Sequence, residues 1–421
     1  MAPYLPIHRS DLTGGTRLVI DATTGITDLV EAMHERIARL PGFPAPSVAG
    51  RTSGLTGFVY ETVRRVTRAV GAGIEIGLDL MVPAFGSDEP SPEREAALAA
   101  LNGVLGDHLI ATGNPLAKPM ALRRDGRALP ADQEALAASL PDATDGVLIA
   151  IHGLCMNDLQ WTREGRDRAA ELGRSLGLTH LGLDYSSGRH IHENGRDLAD
   201  LLEATIDRWP RPLRRIVLVG HSMGGLVARS AFHQGEAAGH RWPALVSDLV
   251  FLGTPHHGAP LEKAGHWLDV VLGATPYAAP FAKLGRARSA GIRDLRHGAL
   301  LAEDVCDAAE GSPFADRRRP VPLPSTARAW AIAGALGQRE GDATDHILGD
   351  GLVRVDSALG RHRDPARTLA FAADHRRVMR GVGHVELIWS DEVFDQLAKW
   401  LGPGSTAADR PATGREPERC G

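Results

Sequence analysis

The stretch Arg215–Arg229, reading Arg-Ile-Val-Leu-Val-Gly-His-Ser-Met-Gly-Gly-Leu-Val-Ala-Arg, constrains this chain more than any other. Ile216 to Val219 are four apolar, mostly β-branched residues, and they predict a short buried strand. The small-residue run behind them opens a helix through Leu226, Val227 and Ala228. Gly-His-Ser-Met-Gly lies between, with Ser222 at its centre. A strand that turns directly into a helix brings two backbones very close, and residues without a Cβ at Gly220 and Gly224 permit that approach. The turn pushes the Ser222 hydroxyl out above the sheet, which makes Ser222 the candidate nucleophile. The helix start aims unpaired N–H groups and its positive dipole end at the same point, where an oxyanion is favoured.

These residues resemble the nucleophile elbow of the α/β-hydrolase superfamily, in wording similar to that of lipases and serine esterases. The resemblance implies an α/β-hydrolase fold: a mostly parallel central sheet flanked by helices, with nucleophile, acid and histidine in that chain order and an oxyanion loop upstream. Four further pieces stand in that order. Val147 to Ile151 predicts an apolar strand ending in His152-Gly153-Leu154-Cys155, which resembles the lipase oxyanion loop. There Gly153 turns the backbone so that the Leu154 amide faces the site, partnered by the amide of Met223. His152 braces the loop or touches substrate; Cys155 reads most simply as a small buried side chain, although its place beside the site would let a thiol reagent inhibit by obstruction. Leu249 to Leu252 predicts a strand running into Gly253-Thr254-Pro255-His256-His257-Gly258, similar to a segment that follows the nucleophile helix in many lipases. His256 and His257 are expected in the substrate-binding wall. Gly349-Asp350-Gly351-Leu352-Val353 resembles the segment carrying the lipase acid and points to Asp350, with Asp342, Asp345 and Asp356 as competitors. Gly383-His384 ahead of the last helix is where the family places its base.

Helical periodicity predicts an amphipathic helix from Ile26 to Leu40, after a loose end up to about Asp11. A second stretch, Leu55 to Met81, gathers Phe58, Val59, Val63, Val66, Val70 and Ile74 on one side, with Arg64, Arg65 and Arg68 largely elsewhere. It reads either as an interfacial segment meeting lipid or as helices packed on the body or on a second copy. A linker over Gly86 to Glu93 and a third helix, Arg94 to Ala111, complete an N-terminal helical extension, residues 1–117. The catalytic region is expected over 118–401. It opens with a hairpin at Asp125-Gly126, then a helix from Thr162 to Leu176, a strand from His180 to Tyr185 and a helix from Asn194 to Trp209. The loop Ser186 to His192 between the last two is a substrate contact or a solvated connector. Strands alternating with helices build a parallel sheet. An irregular apolar stretch, 261–324, falls where such hydrolases carry a cap or lid. Trp330 to Gly334 and Thr368 to Ala372 predict the last strands, followed by a helix ending near Trp400. The tail, 402–421, is expected to be disordered.

Hydrophobic content of 43% and charged content of 24% suit a globular chain with a sizeable core. A net charge of −5 without a long basic run argues against nucleic acid as a partner. Cys155, Cys306 and Cys420 are too few and too scattered for a disulfide framework or metal site. They suit a reducing compartment, and the amino terminus lacks a basic region followed by an apolar core, so a cytoplasmic location without a signal peptide is expected. With no uninterrupted apolar stretch of about 18 residues, contact with a membrane is expected to be peripheral. The resemblance implies hydrolysis of a carboxylic or lipid ester through Ser222, Asp350 and His384, with no cofactor and no metal. Phospholipid, thioester, polyester and inositol-deacylation chemistry remain open. So does a non-catalytic membrane-associated protein retaining the fold, and the oligomeric state is undetermined.

Overall fold

The computed structural model describes residues 8–38, 59–68, 92–259, 289–304, 318–337 and 349–402. The chain divides into two units, Met1–Ser91 with Leu109–Ala117, and Pro92–His108 with Lys118–Gly421. In the first unit helix α1 spans Arg9–Ala38, so it begins inside the expected loose end and long before Ile26. Helix α2 occupies 59–68; the rest of the expected 55–81 stretch lies outside the described residues. The faces of α2 are reversed from the pattern read in the sequence. Arg64 turns inward, its side chain 5% exposed, and pairs with Asp28 and Glu31 of α1, while Val59, Val63 and Val66 are exposed. Two carboxylates meeting one planar guanidinium hold this helix pair, and periodicity of apolar residues does not register such a contact.

The second unit opens with α3, Pro92–Ala111, which starts where the linker was expected to end. Asn102 ties the first part of α3 to the sheet region, its Oδ1 accepting from the Lys118 amide at 2.9 Å and its carbonyl from the Gly188 amide at 2.9 Å. Residues Pro92–His108 therefore cluster with the sheet, although the extension was expected to run to 117. There follow β1 (Ala121–Arg124), β2 (Arg127–Ala128), α4 (Gln133–Ser139), β3 (Gly146–Ile151), β4 (Thr162–Arg163), β5 (Arg166–Asp167), α5 (Arg168–Ser175) and β6 (Thr179–Asp184). Next come α6 (Ile191–Arg208), β7 (Arg215–His221), α7 (Met223–Ala237), β8 (Val246–Leu252), α8 (Ala290–His297), β9 (Arg328–Ala335), α9 (Val355–Ala358), β10 (Arg376–Arg380) and α10 (Asp391–Leu401).

The main sheet has the order β2-β1-β6-β3-β7-β8-β9-β10. β1 is antiparallel to both its neighbours, β2 and β6; β6, β3, β7, β8, β9 and β10 run parallel. From β3 the chain goes first to β6 on one side and later to β7 on the other. Crossovers on opposite sides open a crevice at the carboxyl ends of β3 and β7, the topological switch point where open α/β sheets hold their sites. This is an α/β-hydrolase fold. Every residue of β3 is buried, as expected of a strand covered on both faces. Alternate side chains feed two cores. Val147, Ile149, Ile151, Ile216 and Leu218 pack with Leu198 and Leu202 of α6 and Leu226 and Phe232 of α7. Leu148, Ala150, Val217 and Val219 pack with Leu172 of α5 and Val393, Phe394 and Leu397 of α10. Each buried Leu, Val or Phe contributes about 1.5–3 kcal/mol, so these two layers fix the positions of β3 and β7.

Two local expectations are corrected. The helix expected over Thr162 to Leu176 is a small hairpin, β4–β5, followed by α5. Glu164 and Gly165 both have positive φ, 53° and 76°, and this two-residue turn interrupts any helix through it. The last strand is β10, Arg376–Arg380, and not Thr368 to Ala372. Leu369 and Phe371 are buried but belong to irregular chain over the core. β10 is the edge strand, with Met379 its one fully buried residue, so an arginine-rich sequence forms it and an apolar one nearby does not. The expected cap lies mostly outside the described residues; residues 289–304, which include α8, and 318–324 are its described parts. Among the described residues no helix is long and apolar enough to cross a membrane.

Candidate active site

Ser222 follows β7 directly and precedes α7, with φ 53° and ψ −121°. Positive φ in a residue with a Cβ costs of order 1–3 kcal/mol and persists only where the surroundings enforce it. The enforcement is visible: the Ser222 amide donates to the Leu252 carbonyl at 2.8 Å, and a Cβ on Gly224 would stand 2.3 Å from the Ile151 carbonyl oxygen of the neighbouring strand. The Ser222 side chain is buried and its Oγ makes no hydrogen bond. A buried hydroxyl without a partner, held in a strained turn, asks for a functional account and not a packing one. Met223 is the first residue of α7, so its N–H has no acceptor within the helix.

Asp350 stands in the tight turn after β9. Its Oδ1 accepts from the amides of Leu352 at 3.0 Å and Val353 at 2.8 Å. Its Oδ2 lies 2.7 Å from His384 Nδ1, and its carbonyl accepts from the His384 amide at 3.0 Å. Both side chains are buried. Of the competing aspartates, Asp356 is half exposed and pairs with Arg361, while Asp342 and Asp345 lie outside the described residues. Two contributors escaped the sequence reading. Gly253 has φ 58°, and a Cβ there would come within 3.1 Å of both Asp350 Oδ2 and His384 Nδ1. His221, beside Ser222, has its Nε2 3.0 Å from the His384 carbonyl oxygen and its ring centroid 4.8 Å from that of His384. These contacts bring the Ser222 turn and the Asp350–His384 pair to one corner of the sheet edge. Their sequence signal was only adjacency, His221 to the serine and Gly253 to the end of β8.

The loop after β3 is built from its buried neighbours. The His152 ring stacks on Tyr185 at 4.3 Å, with its Nδ1 2.8 Å from the Gly153 carbonyl oxygen, while Tyr185 Oη donates to the His152 carbonyl at 2.9 Å. His152 is thus a brace, turned into the protein. Ser187 Oγ accepts from the Cys155 amide at 3.0 Å, so the expected substrate contact or solvated connector at 186–192 instead begins with a buried pair that shapes the loop carrying Leu154. Cys155 is itself buried, and burial pushes its thiol up to about 12. Obstruction by a thiol reagent is therefore not expected: Cys155 in the folded chain should resist a disulfide reagent at pH 7–8 and react after denaturation. Rapid labelling of Cys155 in the native protein, read by peptide mass, would contradict this.

His256 and His257 were expected in the substrate-binding wall. They line a cavity whose walls include neither Ser222, Asp350 nor His384. Phe251 and Phe371 pack edge-on and tilted against the His256 ring, and Arg229 Nη1 donates to its Nδ1 at 3.2 Å. His190, His192 and Asp294 form a separate cluster of potential metal ligands, in which Asp294 holds both His190 Nδ1 and the Ile191 amide.

Burial holds several histidines neutral. It pushes His152 down to about 4, and lowers His221 and His256 well below the usual range, helped by the nearby His384 and Arg229 respectively. A folded-state value below the unfolded value of ~6.5 means that the unfolded chain binds more protons between the two, so stability is full above that range and falls as pH drops towards 4. His152 alone should cost about 2 kcal/mol at pH 5 relative to pH 7. Denaturant unfolding at both pH values tests this: His152→Gln should shrink the loss, and an equal loss in both proteins would refute the assignment.

Residues 187–280 match the family described as PGAP1-like alpha/beta domain. No curated protein matches the chain. Among solved structures, the Bacillus licheniformis lipase BlEst2 in mature form is 21% identical, with 61% of this chain and 91% of that chain covered and a TM-score of 0.39. An esterase from Pyrobaculum calidifontis is 15% identical, covering 73% of this chain and 89% of that chain at a TM-score of 0.36. A lipase-esterase related protein from Clostridium acetobutylicum is 12% identical, covering 61% and 95%, at 0.34.

Proposed function

We propose that this chain is a serine hydrolase of carboxylic esters. The observation that carries the reading is the convergence, at the carboxyl edge of β7 and β9, of a strained serine with an unpartnered Oγ and a buried His384–Asp350 pair 2.7 Å apart. In the mechanism His384 takes the Ser222 proton as Oγ attacks the ester carbonyl. Asp350 accepts the Nδ1–H bond and stabilises the imidazolium without taking the proton. The amides of Leu154 and Met223 hold the oxyanion. His384 then protonates the departing alcohol, leaving an acyl group on Ser222, and water repeats the sequence to release the acid. No step requires a metal or organic cofactor.

A lipid ester is favoured within this class by the exposed valines at 59, 63 and 66, which recur at helical spacing on α2. The test is hydrolysis of p-nitrophenyl esters of increasing acyl length, with and without detergent micelles. Activity rising with chain length and with an interface supports a lipase. Activity confined to short soluble esters makes the protein an esterase whose N-terminal helices are structural. No hydrolysis of any ester by the folded protein sinks the proposal.

A further inference from the structure

A cavity of about 170 Å³ lies beside α7, and Ser222 is not among its lining residues. Arg229, His256, His257, Arg318, Arg319 and Arg367 line it, and Asp304 is the one carboxylate among its lining residues. That carboxylate is already engaged by backbone: Oδ2 accepts from Leu300 and Leu301 at 3.0 and 3.1 Å, and Oδ1 from Arg319 at 2.9 Å. Arg229 is buried at 5% exposure. Its Nη2 donates to the Val321 carbonyl and its Nη1 to His256 Nδ1, but its Nε has no partner, and among the described residues no carboxylate pairs with it. Burial and the charge of Arg318 accordingly pull Arg229 down to about 9. A buried cation without a counter-ion is among the costliest features a fold can carry.

The neighbouring imidazole shows the same deficit. Because Arg229 Nη1 donates to His256 Nδ1, that nitrogen is an acceptor and the ring proton sits on Nε2. His256 Nε2 is also buried and without a partner. Two buried N–H donors lacking acceptors, on residues that line a cavity with four arginines, of which Arg319 lies 4.0 Å from Glu303 and Arg367 3.7 Å from Asp364, are complementary to an anion with several acceptor oxygens. A single carboxylate supplies one charge and two oxygens. A phosphate group supplies up to two charges and three oxygens, matching both the cationic lining and the two unpartnered donors.

We propose that this cavity is a phosphate-binding site in which Arg229 and His256 contact the phosphoryl oxygens and Arg318, Arg319 and Arg367 supply the surrounding charge. The phosphate group can belong to a soluble phosphomonoester or to a lipid headgroup, and the two sources separate experimentally. The full chain is titrated calorimetrically with inorganic phosphate and glycerol 3-phosphate at constant ionic strength. In parallel it is floated with phosphatidic acid vesicles against phosphatidylcholine vesicles. Saturable binding is expected, weakened at least tenfold in Arg229→Gln, which keeps amide donors in place of the guanidinium. Arg319→Ala carries the test if that variant fails to fold, since the Arg319 side chain is 70% exposed; a weakening of at least threefold is expected there. Soluble phosphates binding in this pattern support a soluble ligand, and vesicle binding alone in this pattern supports a headgroup. Absence of binding in both arms, or affinities unchanged in the folded variants, overturns the proposal.

Discussion

Ser222→Ala is expected to lower kcat for a p-nitrophenyl ester by roughly 10⁴- to 10⁶-fold, the range found when a triad nucleophile is removed and only oxyanion stabilisation and binding remain. The fold should be untouched, because Ser222 Oγ makes no hydrogen bond whose loss would be felt. The backbone offers an independent check. Alanine keeps the Cβ and therefore the strain of φ 53°, whereas Ser222→Gly releases it and should raise stability by about 1 kcal/mol relative to Ser222→Ala. Both variants are compared by ester turnover and by urea unfolding. Turnover surviving at even a tenth of the wild-type rate in Ser222→Ala would remove Ser222 from the mechanism.

Asp350→Asn is the second large effect, a fall in kcat of about 10⁴-fold, as expected when a triad aspartate becomes an amide. The local geometry says why the amide cannot adapt. The amides of Leu352 and Val353 require an acceptor at the Oδ1 position, so an asparagine must place its oxygen there and its NH₂ at the Oδ2 position, 2.7 Å from His384 Nδ1. Two donors then face each other, and His384 must change tautomer or turn away. Asp356→Asn, at a half-exposed residue paired with Arg361, should change kcat less than about twofold because surface ion pairs contribute little; Asp345→Asn is expected to do the same. If either of these outranked Asp350→Asn, the acid would be reassigned.

The proposed chemistry depends on rigid surroundings. His221 is a positioning residue in this account, its Nε2 on the His384 carbonyl, and Gly253 leaves the space in which the Asp350–His384 pair sits. Neither needs to touch substrate. The crevice opened by the crossovers has fixed walls, since alternate residues of β3 and β7, like those of β8 and β9, feed both cores. Displacing either strand would move the loop carrying Leu154 and the Ser222 turn apart.

Much of the fold was legible in the chain because its signals are local. Ile216 to Val219 is a run that only a doubly covered strand accommodates, and Gly220 and Gly224 bracket a turn that nothing else explains; the positive φ of Ser222 is the physical counterpart of that pattern. Asp125-Gly126 marked a hairpin for the same reason, with both residues at positive φ. Where sequence failed, pairing in space outweighed local pattern. Arg64 lies inward because Glu31 and Asp28, more than thirty positions away, meet it. Arg376–Arg380 forms a strand because β9 offers a free edge, despite three arginines among its five residues.

The sequence by itself determined the elbow, the parallel sheet and the identities of Ser222, Asp350 and His384 as candidates, because backbone sterics and hydrophobic burial act over a few residues and leave periodic traces. Tertiary structure alone decided that Asp350 meets His384, that His152 stacks on Tyr185 beneath its own loop, and that His256 joins Arg229 in the wall of a cavity. Those facts rest on contacts between residues 27 to 34 positions apart, and no local pattern records which distant partner a buried polar group will find.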